Sequence, residues 1–354
     1  MIKNFDFIIV GQGLAGTTLA HIFLQRGKTV LMIDEPREIT SSKVAAGVWN
    51  PVVFKKYTQS YIAPTLLAFN KTFYPIIEQR LGVSFYHPRP YYKIFSNEGD
   101  VNHWRGKLHN PDVQEFLSPE IFTDIDTQAY NAPHGSAPIL DCGNVNVTNY
   151  LATSAQYFEG LGGYLPETFD YNSLELKADS VEYKGNSAGK IIFCEGLYAR
   201  FNPWWSHIPF SPAKGEVFVI EAQLPENEAI VNKGMFIVPL GNNLYKVGST
   251  YRWGDLENTI TESAKAELIE KLNELINVPY TIIEHKAAVR PAVVGRRPVV
   301  GLHHQHQQIG VFNGLGSRGV MLAPFFANQF ADYLFENGQL DAEVDAKRFT
   351  QSIQ

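Results

Sequence analysis

The chain opens on a short run, 5–10 (FDFIIV), that is almost continuously apolar, and a run without alternation predicts a parallel strand covered on both faces. Gly11-Gln12-Gly13-Leu14-Ala15-Gly16 follows at once. Behind it Leu14, Ala15, Leu19, Ala20, Ile22 and Phe23 recur at helical spacing as far as Arg26-Gly27, where a glycine suits the position just past a helix end. Residues 29–33 (TVLMI) predict a second strand that ends in Asp34. Strand, glycine turn, helix and strand in this order make a βαβ unit.

After Asp34 the rhythm changes. A nicotinamide dehydrogenase would continue with further βα units to complete a doubly wound sheet. Instead a small-residue stretch, 41–47 (SSKVAAG), leads into Trp49-Asn50-Pro51 and a helix predicted over 61–81. Residues 83–140 are rich in Pro, Tyr and short strand-like runs such as 91–95. A helix over 147–161 precedes Gly162-Gly163, alternating short strands cover 174–194 with a hairpin at Lys184-Gly185-Asn186, and 190–194 (KIIFC) reads as a buried strand ending at Glu195-Gly196. An antiparallel group spans 216–251, an amphipathic helix 261–276, and a last strand 309–312 opens into Gly314-Leu315-Gly316-Ser317-Arg318-Gly319 and a final helix over 320–336. The nucleotide-binding fold is therefore expected to be interrupted and closed by its far C-terminal strand and helix. The expected class is α/β, a Rossmann-type domain interleaved with an α+β domain built on an antiparallel sheet.

Composition narrows the function. The 354 residues are 45% hydrophobic and 19% charged, enough for two or so domains with a sizeable core. Thirty Lys and Arg against 36 Asp and Glu leave a net charge of −6, which argues against a protein that tracks nucleic-acid phosphates. Cys142 and Cys194 are the only cysteines, too few for a zinc CxxC pair, and both are expected to be reduced. No basic and apolar leader precedes the first strand, so export is not expected and a cytoplasmic location is. The apolar stretch 320–335 is broken by Pro324, Asn328, Gln329 and Asp332, so no membrane span is expected. His303, His304 and His306 resemble a metal cluster, but their neighbours are Gln305, Gln307 and Gln308, and no carboxylate or cysteine joins them. A solvated hairpin without metal is expected there. Lys55-Lys56 and Arg296-Arg297 read as solvated basic pairs.

The glycines carry the strongest chemistry. Gly11 lets the chain turn sharply, Gly13 lets backbone approach a pyrophosphate, and Gly16 lets the helix close on the strands. Asp34, 18 residues after Gly16, is placed to accept hydrogen bonds from an adenosine ribose. This motif by itself leaves FAD, NAD or another adenine dinucleotide open. Gly314, Gly316 and Gly319 make a second strand-to-helix corner at the opposite end of the sequence, and two such corners suit a long cofactor with two polar ends, as FAD is.

On these residues the chain resembles the FAD-dependent D-amino acid oxidase superfamily nearly end to end, particularly its glycine oxidase, sarcosine oxidase and tRNA-modifying aminomethyl-uridine oxidase branches. Gly11, Gly13, Leu14, Ala15 and Gly16 with Asp34 resemble the family's adenosine and pyrophosphate site, although the acidic residue there is more often Glu. Ser42, Ala45, Ala46 and Gly47 with Pro51 resemble the S-x-x-A-A-G segment beside the flavin ring. Pro239 and Gly248-Ser249-Thr250 resemble the P…G-A-T strands of the substrate domain. Val289-Arg290-Pro291, followed by Pro298 and Gly301, resembles the segment that carries the substrate-carboxylate arginine. Gly314, Gly316, Ser317, Arg318, Gly319 and Val320, with Pro324, resemble the C-terminal flavin loop, and Leu340-Asp341 and Arg348-Phe349 fit the family's ending. Three departures stand out. Glu195 precedes Gly196 where a small apolar residue is usual, Gly295-Arg296-Arg297 replaces a commonly acidic position, and no cysteine lies near 314–319, so noncovalent FAD is expected. The resemblance divides the chain into an FAD-binding domain (1–82, 141–214 and 288–354) and a substrate domain (83–140 and 215–287).

The resemblance implies oxidation of a C–N bond by hydride transfer from the α-carbon of an uncharged amine to flavin N5, with O2 or another acceptor regenerating the flavin. Arg290 is the expected substrate-carboxylate anchor, because a guanidinium fork makes two parallel charge-assisted hydrogen bonds, and Pro291 favours the extended backbone of a strand residue. Arg318 is expected beside the flavin, and Tyr251, Arg252 and Trp253 at the substrate pocket. Trp49 lies near the flavin segment. The expected partner is a small-molecule amine or amino acid; nucleic acid and membrane are not expected, and the oligomeric state is not legible. Two alternatives remain. One is a stand-alone relative of the tRNA-modifying oxidase acting on a carboxymethylaminomethyl base, weakened by the −6 charge and the lack of an attached methyltransferase unit. The other is a flavin-binding subunit or sensor without turnover, favoured if an aromatic residue or Glu195 blocks the space above the flavin.

Overall fold

A computed structural model describes residues 3–122, 126–225 and 228–353. The opening apolar run lies in strand Lys3–Val10, buried from Phe7 to Val10 because it has a parallel neighbour on each side, Val30–Ile33 and Asn186–Phe193. Tyr164–Leu165 extends the sheet beyond Val30–Ile33. On the other side Ile309–Asn313 pairs in parallel with the end of Asn186–Phe193 and is itself flanked by the antiparallel Val299–Leu302. Val10 is in register with both Ile33 and Phe193, and Phe193 with Val311, so the chain leaves four parallel strands at one edge. That edge is where ligands bind in open α/β sheets.

Strand alternation sends Phe7 and Ile9 to one core and Ile8 and Val10 to another. On the first face lie helices Leu14–Gln25, Ala63–Leu81, Val147–Gly160 and Gly319–Phe335, which contribute Phe23, Tyr74, Tyr150 and Phe330. Arg26, just past the first helix, forms ion pairs with Asp332 and Glu336 at the end of the last one, joining the two ends of the chain. Where 61–81 predicts a helix, the element starts at Ala63, because Ile62 is left-handed and Pro64 occupies the first turn.

The second sheet is mostly antiparallel: Tyr280–Arg290, Ala213–Ala222, Leu244–Gly248, Phe236–Gly241 and Ile230–Asn232 lie side by side. It is continued by Tyr91–Ile94 and Ser136–Ile139, from the Pro- and Tyr-rich region. Helix Glu262–Asn273, capped by the Thr261 hydroxyl, supplies Leu268 and Leu272 to the core over Phe218 and Ile220. Strands Ala213–Ala222 and Tyr280–Arg290 run through the expected domain boundaries at 214/215 and 287/288, because their pairing extends from Ala213 opposite Arg290 to Ala222 opposite Tyr280 with one register shift between Val219 and Ile220.

Two local expectations are corrected. His303 is 7% exposed rather than solvated, because its Nδ1 accepts the backbone N–H groups of Gln305 and His306 and its ring meets Trp205 edge-on. Arg297 is half-buried, stacked on Tyr61 at 3.6 Å and paired with Glu343. Cys142 and Cys194 are unpaired and buried. Among the described residues no cluster of His, Cys, Asp and Glu could hold a metal ion, and no helix is long and apolar enough to cross a membrane.

Candidate active site

A cavity of about 520 Å³ runs from the edge of the parallel sheet to the face of the second sheet, within the range of small-ligand sites. At its first end is the turn after Val10. Gly11 has φ +102°, and a Cβ on it would come 2.5 Å from the Cys194 carbonyl oxygen. Gly16 does not line the cavity; a Cβ there would lie 1.9 Å from the Gly11 oxygen, so it seats the helix against the turn. Gly13, Leu14 and Ala15 do line it, and no side chain caps the helix at Gly13. The Ser42 hydroxyl accepts the Leu14 N–H at 3.1 Å. With Gly13 offering no side chain and Ser42 engaging only the Leu14 amide, the other amides of the first turn are a ready site for phosphate. Asp34 lines the same end and accepts the Gln12 N–H at 2.9 Å, while burial raises its pKa against the lowering effects of that bond and of Arg37 and Lys43.

The middle of the cavity is backbone-rich. Ala45, Ala46 and Gly47 face Gly196, Gly316, Ser317, Gly319 and Val320. Gly47 is required, since a Cβ would meet the Val145 oxygen at 1.9 Å. Asn313, at the end of the last parallel strand, donates from Nδ2 to the Gly196 oxygen at 2.9 Å and accepts the Gly314 N–H at 2.8 Å, clamping the two corners together. Gly314 itself is outside the lining and makes the turn, at φ +75°. Glu195 is held by the Tyr171 hydroxyl and by Asn202 Nδ2 at 2.8 Å, and burial raises its pKa. Lys246, from the second sheet, donates to the Ala45 and Val44 oxygens at 3.2 and 3.4 Å; burial, with help from Lys286, pushes its pKa down to about 8.

Arg290 closes the far end. It is the last residue of its strand and lies across Gly215, where a Cβ would come 2.1 Å from the guanidinium. It donates to the Ser249 hydroxyl at 2.7 Å and to the Thr250 and Ala213 oxygens at 3.4 and 3.5 Å, and its guanidinium stands 5.0 Å from the Tyr251 ring centre. All of these partners are neutral, and among the described residues no acidic group lies within 4.0 Å. Burial lowers its pKa. A half-buried guanidinium that lines a cavity without a counter-charge is an anion site.

The cavity thus gathers Gly11, Gly13, Leu14, Ala15, Asp34, Ser42, Ala45, Ala46, Gly47, Gly196, Gly316, Ser317, Gly319, Val320 and Arg290. Besides Gly16 and Gly314, the expected residues Arg318, Tyr251, Arg252 and Trp253 fall outside the lining. Arg318 turns away, its guanidinium donating to the Ser60 hydroxyl, because flanking glycines set the course of its backbone and not the direction of its side chain. Tyr251, 40% exposed, stands outside the lining beside Arg290. Trp49 is core, stacked on Tyr86. Asn313, Gly215, Lys246 and Tyr171 were not foreseen, and Ser249 only as part of a substrate-domain strand without its contact to Arg290; of the four, only Asn313, a polar residue ending an apolar strand before a glycine, carried a local signal.

Three comparisons bear on this geometry. Glycine oxidase of Pseudomonas putida is 24% identical over 362 residues, covering 92% of this chain and 93% of that protein. The tRNA 5-methylaminomethyl-2-thiouridine biosynthesis bifunctional protein MnmC of Marinobacter nauticus is 23% identical over 360 residues, and the match spans 92% of this chain but only 54% of that longer protein. The glycine oxidase structure from Geobacillus kaustophilus has the same fold, with a TM-score of 0.77 over 99% of both chains at 19% identity. Residues 6–333 match the DAO family, described as FAD dependent oxidoreductase, and the chain belongs to that family of flavin enzymes.

Proposed function

We propose that this FAD-dependent oxidoreductase oxidises the C–N bond of a small carboxylated amine or amino acid, using noncovalent FAD. The glycine turn, the uncapped helix start and Asp34 fit a pyrophosphate and an adenosine ribose. The backbone cleft clamped by Asn313 fits a planar ring system, and with no cysteine in the 314–319 corner the ring is held without a covalent link. FAD held there would supply the redox chemistry as the hydride acceptor. The protein's own part is to bind the carboxylate at Arg290, to point the α-carbon along the cavity toward Ala45 to Gly47, and to exclude water. Regeneration by O2 or another acceptor, the cytoplasmic location, and the division into flavin and substrate halves belong to the same proposal.

The observation that carries this reading is Arg290, half-buried over Gly215 with neutral partners only. The flavin-loaded protein is mixed anaerobically with glycine, sarcosine, D- and L-amino acids and modified nucleosides, and loss of oxidised-flavin absorption is followed. At least one carboxylated amine is expected to bleach it. Arg290→Leu is expected to weaken binding of that amine by roughly 10- to 100-fold, the range of a lost charge-assisted pair, while flavin content is kept. Equal affinity in the variant and the wild type would remove Arg290 from the role. Glu195 lines the cavity with its carboxylate engaged by Tyr171 and Asn202.

A further inference from the structure

Beside Arg290 the second sheet carries an aromatic pair that the proposed reaction does not use. Ala213 pairs with Arg290 on one side and with Trp253 on the other, so all three side chains leave the same face of the sheet. Arg290 and Trp253 are then two strand spacings apart, about 10 Å. Ala213 and the neighbouring Gly215 leave the floor of the sheet between them low, and the Tyr251 ring stands above it, 5.0 Å from the Arg290 guanidinium. Trp253 is 63% exposed, and Tyr251 packs edge-on against it with ring centres 4.7 Å apart. Leu256, on the cavity wall and 38% exposed, continues the apolar surface. The local charges are already engaged: Asp255 pairs with Lys214 at 2.7 Å and Arg252 with Glu267.

We propose that Trp253, supported by Tyr251, is a stacking platform that selects carboxylated amines bearing a planar ring over glycine-sized ones. This rests on the reading of Arg290 as the carboxylate anchor. With the carboxylate on Arg290, a ring one or two carbons further out lies along the Tyr251–Trp253 pair and meets the exposed indole. Stacking there removes apolar area of both rings from water and adds the ring–ring contact itself. A phenyl side chain and a pyrimidine base share this chemistry.

The test is equilibrium binding of non-reacting carboxylates to the flavin-loaded protein, read from the perturbation of flavin absorption by acetate, phenylacetate and 5-carboxymethyluracil. At least one ring-bearing acid is expected to bind roughly 3- to 10-fold more tightly than acetate. That ratio should collapse in Trp253→Ala and persist in Trp253→Phe, and the ring that binds better separates an amino-acid source from a nucleobase source. Because each variant is judged by its own ratio, general damage to the site cancels. Equal affinities for all three acids in the wild type, or an unchanged ratio in Trp253→Ala, would overturn the platform while leaving Arg290 intact. If acetate and the ring-bearing acids all fail to bind, the Arg290 reading falls, and the platform with it.

Discussion

Gly16→Ala is expected to yield a protein that purifies without flavin and unfolds at lower denaturant. The added methyl would sit 1.9 Å from the Gly11 carbonyl oxygen and 3.2 Å from the Ile9 side chain. Both neighbours belong to the buried end of the central strand and its turn, so relief requires the helix start to move. Overpacking of this kind costs about 1–3 kcal/mol. A displaced helix also moves the Leu14 and Ala15 amides that line the cavity. Gly27→Ala is the matched control: its φ is +70°, but nothing lies within 4 Å of the added carbon. A cost of about 1 kcal/mol, with flavin retained, is expected there. The flavin-to-protein absorbance ratio and the urea midpoint of both variants decide the matter. Full flavin content in Gly16→Ala would show that the helix need not close on the turn.

Acidification below pH 6.5 is expected to destabilise the protein through His21. The ring is fully buried between helices Leu14–Gln25 and Val147–Gly160. Arg80 can only donate, so its contact with Nδ1 at 3.2 Å makes that nitrogen the acceptor and leaves Nε2–H to donate to Ser154 at 2.8 Å. Burial, with Arg80 second, pushes the pKa down to about 3. The unfolded ring titrates near 6.5, so between pH 6.5 and 3 the unfolded chain takes a proton that the folded one refuses. Stability from this group is therefore complete above 6.5 and falls on acidification, by about 3 kcal/mol at pH 4.5. His303, pushed down to about 4 by burial and by the neighbouring His304, His306 and His207, loses stability in the same direction. Urea unfolding of His21→Gln at pH 7 and 4.5 should show a pH-dependent loss smaller than wild type by about that amount. Equal losses would mean that the buried ring is protonated in the native state.

What the sequence shows of the site follows from how local each determinant is. Gly11, Gly13, Gly16 and Asp34 form one continuous motif, and all of them sit at the cavity or at its turn. Arg290 was legible through its neighbours Val289 and Pro291 and through the resemblance they carry. Gly215, Ser249 and Lys246 act on partners 41 to 202 positions away, and only the pairing of the second sheet brings them there. The same limit explains Arg318, whose glycines announce a turn but not that Ser60, 258 positions away, receives its guanidinium. His303 misled in the opposite direction: a polar tract reads as solvated, yet one ring folds inward to accept two backbone amides.

The parallel sheet has a consequence for biosynthesis. Strand Lys3–Val10 finds its second neighbour only when Asn186–Phe193 has been made, and Ile309–Asn313 follows near the end. At typical elongation rates the first strand waits roughly 10–40 s for the one and the sheet about 15–60 s for the other. During that interval the apolar surface of Ile8 and Val10 is open on the ribosome, so the nascent chain should depend on holdase chaperones until its last sixth has emerged.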